Sequence, residues 1–231
     1  MNLAELENLS LSETRVLGCL IEKEMTTPDY YPMTLNALVA ACNQKSNRDP
    51  VLGLTESEVM HALDELRERQ LVWEVSVQGS RVPKYKHRVI EQFAFSPRQA
   101  AVMGELLLRG PQTPGALRSR CSRMVAVDNL AEIQEVLREL RDAERGPFVA
   151  ILPREAGKRE QRWLQLLGGD APSDVDVQTE EGAQAADSAA PSSSGVPASS
   201  NREELRERLE RLEKDVRTLT ERFEEFVRQF G

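Results

Sequence analysis

The strongest constraint on the fold of this chain is an internal repeat. Val16-Leu17-Gly18-Cys19-Leu20 is followed by Thr34-Leu35-Asn36-Ala37-Leu38, which runs on to Cys42, and then by Glu58-Val59-Met60-His61-Ala62-Leu63-Asp64-Glu65-Leu66-Arg67. The same order returns as Val102-Met103-Gly104-Glu105-Leu106, then Thr113-Pro114-Gly115-Ala116-Leu117 ending at Cys121, then Glu132-Ile133-Gln134-Glu135-Val136-Leu137-Arg138-Glu139-Leu140-Arg141. The offset between the copies shortens from 86 to 79 to 74 residues, as longer loops in the first copy would require. A pattern that recurs in order marks one supersecondary unit used twice.

Each copy predicts three helices. Ser12 and Ser96 are the expected N-caps of the first helix, and Thr34 and Thr113 of the second, because a short hydroxyl side chain satisfies the unpaired amides of a first turn. In the third helix Val59, Ala62, Leu63 and Leu66 recur at i, i+3, i+4 and i+7, as do Ile133, Val136, Leu137 and Leu140, which makes a buried stripe. The period then changes to two. Leu71, Trp73, Val75 and Val77 alternate with Val72, Glu74 and Ser76; a turn falls at Gln78-Gly79-Ser80-Arg81; and Tyr85, His87 and Val89 alternate with Lys84, Lys86 and Arg88. The second copy offers Phe148 to Leu152, a loop from Arg154 to Lys158 and a return strand near Gln161 to Leu167.

Three helices and a hairpin, twice over, is the winged-helix order, a helix-turn-helix with a β wing. The expected class is therefore mainly α with small β wings (α+β). Residues 1–92 would form the first winged-helix domain and 93–167 the second. Residues 168–201 turn to Gly, Ala, Ser, Pro and acid, a composition too poor in apolar surface to offset the entropy of ordering, and read as a disordered acidic linker. Over 202–231, Leu205, Leu209, Leu212, Val216, Leu219, Phe223, Phe226 and Phe230 step by four and three, a heptad seam. A single helix of this kind is marginal in water, so a homodimer through a C-terminal coiled coil is expected.

Several phrases carry a family likeness: Thr26-Thr27-Pro28 with Tyr31-Pro32, the run from Asn43 to Pro50, the run from Leu107 to Gly115, and Gly157-Lys158-Arg159-Glu160. From Leu11 to Leu167 the chain resembles the YceH family of uncharacterised bacterial proteins. The resemblance implies a tandem winged-helix fold followed by a coiled coil, and it implies no particular activity.

Composition narrows the function. Hydrophobic residues make up 40% and charged residues 29%, as in ordinary globular chains. Met1 to Glu13 carries three glutamates and no basic stretch ahead of an apolar run, and no uncharged apolar segment nears the ~20 residues of a membrane span, so a cytoplasmic protein is expected. The three cysteines, Cys19, Cys42 and Cys121, lack metal or disulfide spacing and are expected to be reduced core thiols. With two histidines, no glycine-rich phosphate loop and no paired acid and base, neither a cofactor nor a metal nor an enzyme is expected.

Nucleic acid is the partner that a winged helix suggests first. The third helices argue against ordinary groove reading, since Glu56, Glu58, Asp64, Glu65 and Glu68 in one copy, and Glu132, Glu135 and Glu139 in the other, would meet phosphates. Positive charge clusters instead in loops and wings: Lys45 and Arg48; Arg81, Lys84, Lys86 and Arg88; Arg118, Arg120 and Arg123; Lys158 and Arg159, with Arg154 and Arg162 nearby. These are the candidate contacts of a DNA-associated regulatory protein that grips the phosphate backbone. The alternative is an adaptor whose acidic helices bind a basic protein partner without nucleic acid. Of the longer first-copy loops, Tyr30-Tyr31-Pro32 is expected to brace, and Lys45 and Arg48 to make contacts.

Overall fold

A computed structural model describes residues 8–168 apart from 77, 78, 80 and 156. All of these lie in the first of two units into which the chain divides, residues 1–179. The expected tether and heptad seam, from Leu205 to Phe230, fall outside the described residues.

The first helix, α1 (Leu11–Thr26), opens at Ser10 rather than Ser12. Only Ser10 has a glutamate three residues on: Glu13 N–H donates to the Ser10 hydroxyl at 3.3 Å and Ser10 N–H to Glu13 Oε2 at 2.7 Å, so two first-turn donors are satisfied reciprocally. The corresponding helix of the second copy, α5 (Pro97–Arg109), starts with the same device at the expected Ser96, paired with Gln99. Thr34 caps α2 (Leu35–Cys42) and Thr113 caps α6 (Pro114–Cys121), as the hydroxyls predicted. The third helices, α3 (Glu56–Glu68) and α7 (Leu130–Arg141), begin at Thr55 and Asn129 and bury the predicted stripes. Between the copies, α4 (Val89–Phe93) takes the place of a strand end, because the ladder closes with Arg88 N–H on the Leu71 carbonyl at 2.8 Å and Gln92 N–H then returns to Arg88 O. Val89 is buried there, but as part of a helix.

Each copy ends in a hairpin. Strand β2 (Val72–Val75) pairs antiparallel with β3 (Lys84–His87), and β4 (Val149–Ile151) with β5 (Trp163–Gln165). A two-residue strand that the sequence did not announce, β1 (Met33–Thr34), adds to the far side of β3, giving the order β1-β3-β2. The second copy keeps a one-residue version of it: Gln112 exchanges both backbone hydrogen bonds with Trp163, at 3.0 and 2.8 Å. Two residues are too few to show a period of two.

The buried residues of the two copies form one continuous cluster. Helices α1 and α5 cross at its centre, with Val16, Leu17, Cys19, Leu20 and Ile21 of one and Ala100 to Leu108 of the other buried. The crossing is close because both copies have glycine there. A Cβ on Gly18 would stand 3.0 Å from Leu108 Cγ and 3.1 Å from Leu107 Cβ, and one on Gly104 would stand 3.0 Å from Ile21 Cγ2. Phe93 and Phe95, in and after α4, pack edge-on against Phe148 at centroid distances of 4.9 and 4.8 Å and tie the connection to the second hairpin. Leu9 N–H donates to the Leu167 carbonyl at 2.7 Å, and Gly168, read from sequence as the first linker residue, bridges to Leu9. The three cysteines are free and buried. Among the described residues, no helix is long and apolar enough to cross a membrane.

Candidate nucleic-acid interface

The register of the first hairpin decides which side chains share a side. Val72 stands opposite His87 and Glu74 opposite Tyr85, whereas Trp73 stands opposite Lys86 and Val75 opposite Lys84. Tyr85, His87 and Val72 are buried, so Trp73, Val75, Lys84 and Lys86 lie on the outward side. Trp73, one of the apolar residues expected to alternate along this strand, is 47% exposed. The Arg88 guanidinium stacks over its ring at 3.8 Å from the centroid, and Lys86 Nζ lies at 5.4 Å. Arg81 is exposed at the turn. Lys84, Lys86 and Arg88 form no ion pair with a described residue.

Beneath the sheet the chemistry is different. His87 Nε2 lies 2.7 Å from Glu24, and this contact, against a smaller opposing effect of burial, holds the Glu24 carboxyl below its ordinary range. His87 N–H donates to the Tyr31 hydroxyl at 2.8 Å, so Tyr31 braces the sheet as expected, while Tyr30 points to solvent.

The loop after α2 overturns one expectation. Lys45 is exposed, but Arg48 is buried. Its Nη2 lies 2.5 Å from Glu22 Oε2 and its Nη1 3.2 Å from Oε1; Nε donates to the Ala41 carbonyl, and Gln44 and the Asn47 carbonyl accept the remaining bonds. An arginine so engaged has nothing left to offer a phosphate. The cause is Glu22, a fully buried carboxylate on α1 that needs a cation beside it. Burial alone would raise the Glu22 carboxyl; the hydrogen bonds and charge of Arg48, joined by Arg123, outweigh it and hold the group below the usual carboxylate range.

Arg123 is exposed, yet its guanidinium turns inward. Its Nη1 lies 2.5 Å from Glu22 and its Nη2 2.5 Å from Glu105 of α5, which is also fully buried. Arg109 lies 3.4 Å from Glu105 and donates to Asn47, and Arg120 donates to Gln112. Arg48, Arg120 and Arg123, all read from sequence as candidate phosphate contacts, therefore hold polar groups of the interior, and Glu22, Glu105 and Arg109 belong with them. A signal was present in the sequence at Glu105, an acid set between Val102-Met103-Gly104 and Leu106-Leu107-Leu108; Glu22, followed by Lys23-Glu24, carried none.

In the second copy Arg118, Lys158 and Arg159 are exposed. Lys158 and Arg159 line a shallow cleft between the hairpin loop and the start of α6, together with Thr113, Glu155, Glu160 and Arg162. Glu155 pairs with Arg162, so this cleft is of mixed charge. The outward faces of the third helices are acidic, as read from sequence: Glu56, Ser57, His61 and Asp64 surround a depression on α3 with Leu35 and Met60, and Glu135 and Glu139 are exposed on α7.

Fold and surface together define a helix-rich α+β protein made of two related halves, with exposed cations on the hairpins and loops and on α6 among the described residues. The chain belongs to an uncharacterised bacterial family: residues 9–158 match the family described as "Protein of unknown function, DUF480". It is 46% identical over 231 residues to a UPF0502 protein of Saccharophagus degradans, covering 96% of this chain and 99% of that one. It is 55% identical over 163 residues to a UPF0502 protein of Geotalea uraniireducens, covering 71% and 74%. A UPF0502 protein of Aeromonas hydrophila subsp. hydrophila is 45% identical over 214 residues, covering 91% and 94%.

Proposed function

We propose that this chain is a tandem winged-helix protein of the bacterial cytoplasm. In this reading it is a binding protein rather than an enzyme, and it associates with DNA through the phosphate backbone and serves regulation. The observation that supports this most is the outward side of the first hairpin, where Lys86 and Arg88 lie over Trp73 and Lys84 stands on the same side opposite Val75, none of the three in an ion pair with a described residue. Lys45, Arg81, Arg118, Lys158 and Arg159 extend the cationic surface. The acidic outward faces of α3 and α7 argue that base edges are not read by those helices, so the association has weak sequence preference. The heptad pattern from Leu205 to Phe230 would pair two copies and double the contact.

The test is a fluorescence-anisotropy titration of the full chain with random-sequence duplex DNA at two salt concentrations. Beside it run a triple variant, Lys84→Ala, Lys86→Ala and Arg88→Ala, and a deletion of residues 202–231. The wild type should bind with a salt dependence that becomes shallower by about 0.9 in log–log slope for each phosphate contact the triple variant loses. The deletion should bind more weakly. Absence of binding at low salt, or a triple variant equal to wild type, would overturn the reading. It would then favour an adaptor that presents the acidic depression around Glu56, His61 and Asp64 to a basic protein partner.

A further inference from the structure

We propose that Trp73 is a positioning residue for a phosphodiester-binding site on the outward side of the first hairpin, where its indole holds Arg88 and Lys86 in a fixed cationic array with Lys84. The inference rests on the DNA-associated reading and deepens it by naming the site and the residue that organises it.

Four observations converge on it. The first is the register, which brings Trp73 and Lys86 into direct cross-strand opposition and sets Lys84 opposite Val75 on the same side. Residues two apart on a strand stand about 7 Å apart, so the cations form a row rather than a single point. The second is the exposure of the ring. A tryptophan left 47% exposed on a hairpin contributes little to the core, and the face of this one is covered by two cations.

The third is the state of Arg88. Arg15 donates to the carbonyls of Cys42 and Pro50, Arg48 to Glu22 and three other acceptors, and Arg123 to Glu22 and Glu105. The Arg88 side chain donates to no described residue, although its Nε is shut away from solvent. A guanidinium stacked face-on against an aromatic ring keeps its planar fork of N–H donors directed outward, the geometry that meets two oxygens of one phosphate. The fourth is the arrangement of nearby acids. Glu74 lies on the other side of the hairpin, paired with Arg67 at 3.4 Å, and Glu24, which feels the charge of Lys86, sits beneath the sheet against His87. Glu74 is the only carboxylate in β1, β2 or β3, so none of these strands places an acid on the outward side with Trp73.

The second hairpin lacks this arrangement. Its tryptophan, Trp163, is buried, and its loop cations Lys158 and Arg159 share their cleft with Glu155 and Glu160. The two hairpins are therefore unequal, and the first carries the ordered contact. Cations already held by the ring lose less side-chain freedom on binding than free lysines do.

The experiment uses the full chain and a labelled random-sequence duplex, with W73L, W73F, R88A and the double variant W73L/R88A. Leucine keeps an apolar side chain and loses the ring's negative face, whereas phenylalanine keeps that face. W73L is expected to weaken binding by roughly three- to fivefold, W73F to stay within about twofold of wild type, and the double variant to fall short of the summed effects of W73L and R88A, since the ring acts mainly through Arg88 and only in part through Lys86. A second measurement needs no substitution: acrylamide should quench the exposed Trp73 in the free protein, and the duplex should protect it. If R88A weakens binding while W73L equals wild type, or if the duplex leaves quenching unchanged, the role of Trp73 is overturned and the DNA reading stands. If the wild type binds no duplex at low salt, both fall together.

Discussion

Glu22 and Glu105 show how one residue constrains its surroundings. Both are fully buried, and each is neutralised by arginines: Arg48 and Arg123 for Glu22, Arg123 and Arg109, one turn on in the same helix, for Glu105. Removing one charge from such a group leaves the others uncompensated in a low-dielectric interior, at a cost of about 3–5 kcal/mol. Glu22→Gln should therefore lower the unfolding free energy obtained from urea titration by that amount. The pH dependence follows from the direction of the shift. Glu22 is held below its unfolded value, so its contribution is complete above the unfolded carboxyl's ~4.3 and is lost as pH falls through the lower folded value. Wild-type stability should thus fall more steeply than that of Glu22→Gln when acid titration is carried below about pH 4.

At the scale of elements, the crossing of α1 and α5 depends on two glycines in equivalent places of the repeat. Glycine inside a helix ordinarily costs about 1 kcal/mol relative to alanine, so alanine at both positions would stabilise an isolated helix. Packing decides otherwise at Gly18, where a new methyl would press on Leu107 Cβ and Leu108 Cγ, atoms close to the backbone that cannot swing away. Gly18→Ala should be destabilising by about 1 kcal/mol net, and Gly104→Ala, which meets only the Ile21 methyl, close to neutral in thermal melting. The helices and hairpins were legible in the sequence because their periods run over many residues: the stripes of α3 and α7 and three of the four expected caps stand where the pattern put them. What escaped was short or non-local. The strand β1 is two residues long, and Ser10 outcompetes Ser12 only through Glu13. Trp73 acquires its place from the strand opposite, which no local period records. Arg48 read as a surface cation because its partner, Glu22, lies 26 residues away.

At the scale of the whole molecule, the halves unfold together or not at all. Their buried side chains are continuous, the Asp49 N–H of the first copy bonds the Leu108 carbonyl of the second at 3.0 Å, and the ion network spans both. Native-state hydrogen exchange should give one common opening free energy for the slowest amides of α3 and of α7, and Glu22→Gln should reduce both equally; two distinct values would show that the halves open independently. The network also differs between the copies. At the 86-residue offset, Glu105 corresponds to Cys19 and Glu22 to Leu108, so each half supplies a charge where the other supplies an apolar or thiol side chain. Glu22 pairs with Arg48 in its own half and Glu105 with Arg109 and Arg123 in its own, so a chain assembled from two copies of either half would keep those pairs and lose the Arg123–Glu22 bridge that joins the halves. The repeat is symmetric in its helices and hairpins, and the bridge that fastens one copy to the other runs in one direction only, from an arginine of the second to an acid of the first.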